Sequence, residues 1–195
     1  MRKRAVRKAT KARKAPAPKS TARRAVRAKA APPSGHRAVT PYIVVKGAAA
    51  AIDFYKRAFG AREVMRMAGP GGAIMHAEIR IGDSVVFMTD ENPQWGCVGP
   101  LTLGGTHGSL HLAVKDVDAA FKKAVAAGAS GTMPPETMFW GDRYGTVKDP
   151  FGHDWGLAQT LEVLTPRELR KRGQAFAAQM AAQAPPIPEA PADRR

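Results

Sequence analysis

PYIVVKGAAAAIDFYKRAFGA, Pro41–Ala61, returns later in the chain as LHLAVKDVDAAFKKAVAAGA, Leu110–Ala129. Each copy reads as a short strand followed by an amphipathic helix that stops at a glycine. Ile52, Tyr55 and Phe59 recur at helical spacing in the first helix, as do Val117, Phe121 and Val125 in the second. Gly60 and Gly128 stand at the helix ends, where a residue without Cβ enters the left-handed conformation with least strain. Further strands follow each helix. IMHAEIRIGDSVVFMTD, Ile74–Asp90, is two alternating runs joined at Gly82-Asp83, a hairpin signal. RYGTVKDPFGHDWGLAQ, Arg143–Gln159, is a second hairpin, with Asp149-Pro150-Phe151-Gly152 supplying the turn. Two copies of strand, helix and further strands predict a paired α+β module, each sheet packed on its own helix.

Composition sets the outer limits. The 195 residues suit one domain with extensions, and no apolar run is long enough for a transmembrane helix. The single cysteine, Cys97, rules out an internal disulfide and fits a reducing compartment, so a cytoplasmic protein is expected. Cys97 has no paired base nearby in sequence and is not read as a nucleophile. There is no cysteine cluster of metal-binding type, no P-loop and no Gly-rich strand–helix turn for a nucleotide-like cofactor.

The net charge of +15 is concentrated at one end. Residues 1–37 hold 14 of the 31 lysines and arginines and no acid, leaving 17 basic against 16 acidic residues in the rest. Residues 1–38, rich in Lys, Arg, Ala and Pro, have almost nothing to bury and are expected to be a disordered tail. Its composition resembles the tails of linker histones, and it is a candidate for non-specific contact with nucleic acid or another polyanion through residues 1–37. With no aromatic interleaved, base stacking is not available. A cleaved organellar transit peptide and a start-site artefact are the competing readings. At the other end, Thr165-Pro166-Arg167-Glu168 is a capping box with proline at the first helical position. It predicts a helix within 161–183, followed by a disordered end, 184–195.

AIDFYKRAFGA, IMHAEIRIGDSVVFM, SLHLAVKDVDAAF and FWGDRYGTVKDPFGH together resemble the vicinal oxygen chelate superfamily, the glyoxalase and bleomycin-resistance fold, and its PhnB-like branch in particular. The resemblance covers Thr40 to Thr160. It implies a domain over 39–160 made of two βαβββ modules, about 39–91 and 108–160, whose strands form a cup-shaped mixed sheet, and it implies a homodimer. PhnB-like proteins carry a ubiquinone-pathway methyltransferase name, which the missing Gly-rich turn gives no reason to adopt. Many family members bind a divalent metal with one residue from each of four strands. By local pattern those positions fall on Tyr42, Phe87, His111 and Gly156. Only His111 is a good ligand, so no metal and no other cofactor is expected at the usual site.

Alternation then assigns the faces. Ile81 should oppose Ser84 and Glu78 should oppose Phe87, placing Ala77, Ile79, Ile81, Val86 and Met88 under a helix. His76, Glu78, Arg80, Val85, Phe87 and Thr89 share the other face, which the family's metal position at Phe87 marks as the cup. Tyr42 and His111 should join it, with Trp140 and Arg143 at the rim. His76, Glu78 and His111 are the candidate catalytic residues, Glu78 beside His76 having the makings of an acid–base pair. Tyr42, Arg80, Phe87, Trp140 and Arg143 are the candidate ligand-binding residues. Trp155 and Leu157 are expected beneath the second helix. His153 and Asp154 are expected to face solvent or support the turn. The Gly/Pro-rich link Asp90–Gly108 is expected to cover the cup, with Trp95 as lid or oligomer contact.

The leading expectation is a metal-free cup that binds an unidentified small molecule, aromatic or cationic. One alternative is a metal-dependent lyase, isomerase or dioxygenase with a non-standard ligand set around His76, Glu78 and His111. Another is a nucleoid-associated protein whose cup serves dimerisation or sensing. The sequence leaves enzyme activity open.

Overall fold

The computed structural model describes residues 36–183. The tail read over 1–38 lies outside the described residues except for its last three, as does the terminal segment 184–195. The first module runs β1 (Tyr42–Val45), α1 (Ala48–Phe59), β2 (Arg62–Ala68), β3 (Ile74–Ile81) and β4 (Ser84–Asp90). The second runs β5 (Ser109–Ala113), α3 (Val117–Ala127), β6 (Ser130–Thr137), β7 (Asp142–Lys148) and β8 (Asp154–Thr160). A short helix, α2 (Pro100–Leu103), lies in the link, and α4 (Pro166–Gln183) follows the second module. Both modules are therefore βαβββ. The strands form two mixed four-stranded sheets, ordered β1-β4-β3-β2 and β5-β8-β7-β6. In each, the first strand pairs in parallel with the last and the other pairings are antiparallel.

The first hairpin has the register that alternation predicts. Ile81 pairs with Ser84 and Glu78 with Phe87. Ala77, Ile79, Ile81, Val86 and Met88 are buried, and α1 covers them with Ile52, Phe54 and Tyr55. Burying each large side chain in this layer is worth roughly 1.5–3 kcal/mol against leaving it in water. Val85 and Thr89 depart from the half-exposed character of their face and are buried. Thr89 donates its hydroxyl to the Ile74 carbonyl.

The two helix starts are built alike. Asp90, at the end of β4, accepts from the amides of Gly47 and Ala48 and ties in β3 through the Ile74 amide. Gln159, at the corresponding end of β8, accepts from the Val117 amide, while Asp116 caps α3 through the Ala119 amide. These bonds satisfy donors that a helix start leaves open. Both helices end at left-handed glycines, Gly60 and Gly128. The inner face of α3 uses Val117, Phe121 and Ala124, whereas Val125, at the edge of the stripe, is exposed. β6 holds Pro134 and Pro135, which an edge strand tolerates because it has no second neighbour to donate to.

The modules meet in one apolar core, and its centre is polar. Asp149 is 4% exposed, and Oδ1 accepts from the amides of Phe151 and His153. Oδ2 accepts from Tyr55 Oη at 2.7 Å and Trp155 Nε1 at 3.0 Å. Burial first, and the Asp149 charge next, push the Tyr55 phenol well above its ordinary pKa, so it stays a donor. Trp155 packs on α1 of the other module, with its ring centroid 5.4 Å from Tyr55 and 4.5 Å from Phe59, in the core that Val117 and Ala124 of α3 share. The indole N–H is directed by Asp149 of its own hairpin, and the ring surface is covered by the other module.

The capping box at the start of α4 is formed reciprocally. The Glu168 carboxylate accepts from the Thr165 amide at 3.0 Å, and Thr165 Oγ1 from the Glu168 amide at 3.3 Å. Phe176 stacks on Phe139 of the second module at 4.8 Å. Among the described residues, no helix is long and apolar enough to cross a membrane.

Tyr55→Phe removes one of four donors to a buried carboxylate and should lower stability by about 1–3 kcal/mol. Asp149→Ala strands all four donors and should cost more, ~3 kcal/mol or beyond. Urea unfolding measures both, and a smaller loss for Asp149→Ala than for Tyr55→Phe would deny the carboxylate its central role.

Candidate functional site

The polar faces of the two sheets carry two separate clusters. On the first, strand pairing lines up Tyr42, Phe87 and Glu78 in one row, with His76 one step along β3. The Glu78 side chain is 15% exposed, and its Oε1 lies 3.6 Å from His76 Nε2. The rings of Tyr42, His76 and Phe87 surround it, with centroids 5.0–6.2 Å apart and planes near perpendicular. His36, just before β1, completes the group: its Nε2 is 3.1 Å from Glu78 Oε2 and its ring is 4.9 Å from Phe87. Tyr42 is itself 56% exposed, so the cluster is open on that side. Arg80 shares the strand face but reaches back along the hairpin to the Asp83 carbonyl, 3.4 Å away.

On the second sheet the row is His111, Gly156 and Thr146, with Tyr144 one step along β7. The Tyr144 ring stacks on His111 at 5.8 Å and meets Trp140 edge to face at the same distance. Gly156 makes this possible, since a Cβ there would sit 2.3 Å from Tyr144 Oη. Trp140 donates its indole N–H to Asp142 at 3.1 Å.

Arg143, expected at the rim beside Trp140, is a correction. It lies within strand β7, Asp142–Lys148. Alternation turns Arg143 away from Tyr144 and toward α3, where it makes a two-pronged pair with Asp118 at 2.7 and 2.8 Å. That pair holds the Asp118 carboxyl below its ordinary pKa.

The candidates are thus not gathered into one cavity. A cavity of about 530 Å³ between the β3–β4 turn and β5 is lined by His111 but by neither Glu78 nor Tyr144. A second, of about 380 Å³, is lined by Tyr42 and the link residues Val98 and Leu103. Trp95 is 77% exposed and shares a smaller cleft with Tyr42, Met75 and Cys97. His153 is half-buried, its Nε2 3.1 Å from the Val44 carbonyl, and Asp154 pairs with Lys148.

At the positions where the resemblance puts metal ligands, Phe87 and Gly156 offer no donor atom, and Tyr42 and His111 lie in different sheets. Among the described residues, no group of three or more His, Cys, Asp or Glu is arranged to hold a metal ion. The residues present do not fit the family's metal, and no step is derived through one. Sequence reasoning missed His36 and Asp118, whose partners are 42 and 25 residues away. It also left Tyr144 out of the cup; Gly156, on the neighbouring strand one step along from Tyr144's own partner Ala158, leaves the room its ring takes.

Two βαβββ modules, each a mixed four-stranded sheet with a helix on its buried face, define a paired-module α+β protein. Residues 35–157 match the model of the Glyoxalase/Bleomycin resistance protein/Dioxygenase superfamily, and the chain belongs to that family. An uncharacterised protein of Mycobacterium bovis is 46% identical over 137 residues, covering 68% of this chain and 90% of that protein. An uncharacterised protein of Mycobacterium tuberculosis H37Rv matches equally over 80% of its length. Among solved structures, TioX from Micromonospora sp. ML1 is 28% identical with a TM-score of 0.50, covering 66% of this chain and all of that one. A PhnB protein from Bacillus cereus shares the fold at 18% identity and a TM-score of 0.51, over 64% of this chain and all of that one.

Protein purified without added metal or chelator is expected to carry well under one equivalent of Zn, Ni, Mn or Fe by elemental analysis. One tightly held equivalent that disappears in His111→Ala would show that the donor argument is wrong.

Proposed function

We propose that the protein binds a small aromatic or cationic molecule on the face that carries Glu78, without the metal its family commonly uses. The observation that carries this reading is a carboxylate 15% exposed among three aromatic rings. A charge in such a setting strengthens its interaction with an opposite charge, because water competes less for it. Phe87 and Tyr42 supply apolar walls, and Trp140 with Tyr144 supplies a stacking surface on the other sheet. A homodimer is part of the proposal. The two clusters are incomplete walls on one chain, and Trp95, Leu101 and Leu103 are exposed apolar side chains in the link that a second copy would cover. The cytoplasm is the proposed location.

Glu78→Gln and Trp140→Ala should each weaken binding of a hit from a thermal-shift panel of small aromatic cations and neutral aromatics about tenfold or more, a loss typical of one good polar or stacking contact. Their melting temperatures without ligand should stay near that of the parent. Undiminished binding by both variants would remove these faces from the function.

A second activity rests on charge. We propose that residues 1–37, with 14 basic residues and no acid, bind duplex DNA without sequence preference while the near-neutral remainder does not. If about ten of the charges meet phosphates, the logarithmic salt slope should be about −9. Full-length protein and protein starting at Val39, compared across a salt series, test this; equal affinity in both would take the tail out of the activity.

A further inference from the structure

His36 does more than border the Glu78 cluster. Tyr42, His76, Glu78 and Phe87 all project from one sheet face, held by strand pairing. His36 alone comes from outside the sheet, on the segment leading into β1. Its imidazole nitrogen is 3.1 Å from Glu78 Oε2, and its ring stands near perpendicular to Phe87 at 4.9 Å. His76, by contrast, approaches the other carboxylate oxygen only to 3.6 Å. The sheet therefore supplies a carboxylate with aromatic walls, and a nitrogen heterocycle from the chain's own leading segment occupies it.

A carboxylate beside aromatic rings is recognition chemistry for a delocalised or alkylated nitrogen cation: the carboxylate takes the charge and the rings take its apolar surface. The occupant already there is a planar nitrogen ring presenting one nitrogen to the carboxylate. We propose that the Glu78, Phe87, His76 and Tyr42 face is a site for an organic nitrogen cation, and that His36 is its built-in competitor, displaced when such a ligand binds. This rests on the reading of the Glu78 face given above and narrows it from aromatic or cationic to cationic. It also adds a regulatory element, because the apparent affinity of an occupied site falls by the fraction of time it is free.

The test uses the full chain and benzyltrimethylammonium, with benzoate as the matched anion, followed by calorimetry. His36→Ala should bind the cation more tightly than the parent, by about tenfold if His36 fills the site nine-tenths of the time. Glu78→Gln should lose cation binding, and neither parent nor His36→Ala should bind benzoate. In the parent, the His36 ring proton resonance should shift as the cation is added, a change that a merely structural His36 would not show. Tyr42→Ala, at an exposed position, serves as a second weakening variant should Glu78→Gln fail to fold. Equal or weaker cation binding by His36→Ala overturns the competitor role. If Glu78→Gln still loses binding in that case, the reading of the Glu78 face stands. Cation binding that survives Glu78→Gln, or no cation binding by either parent or His36→Ala, overturns the cation site itself.

Discussion

The Asp149 carboxylate is the point on which the two halves of the molecule depend. It closes its own turn through two backbone amides and reaches across to Tyr55 in the other module. A buried carboxylate is costly unless its oxygens are satisfied, and here both are. Because Tyr55, one of its four donors, belongs to the first module, satisfaction is complete only when the modules are docked. Trp155 then brings its indole to the same oxygen and its ring surface to α1. Polar direction and apolar burial thus select the same arrangement.

The modules repeat each other at the helix starts and differ on the polar faces of their sheets. Asp90 and Gln159 hold equivalent helix starts from equivalent strand ends. On the polar faces, by contrast, strand pairing sets Tyr42, Phe87 and Glu78 of the first module against His111, Gly156 and Thr146 of the second. Only the first row carries a carboxylate. In the second, glycine makes room for the Tyr144 ring, and the face becomes an aromatic stack.

Hydrophobic alternation was legible in the sequence because it is local. A strand has a period of two residues, so Ile79 and Met88 could be placed inside, and Glu78 opposite Phe87, from the hairpin turn alone. The capping box of α4 was legible for the same reason, since Thr165 and Glu168 are three residues apart. Val125 shows the limit even of local reading: a helical stripe has width, and its edge residue sits in or out according to what packs against it. Arg143 was misplaced because it stands on the face of β7 opposite to Tyr144, where its partner Asp118 comes from α3, 25 residues away in sequence.

By itself the sequence determined two copies of strand, helix and further strands, their helix ends, the hairpin register and the residue types on each face, all of which follow from spacing over a few residues. Tertiary structure decided what those residues meet. It joined Asp149 to Tyr55 across 94 residues, seated His36 on Glu78 across 42, and divided the candidate site residues between two sheets. The physical reason is that periodicity records which side of an element is buried, whereas the partner on that side is set by how whole elements dock.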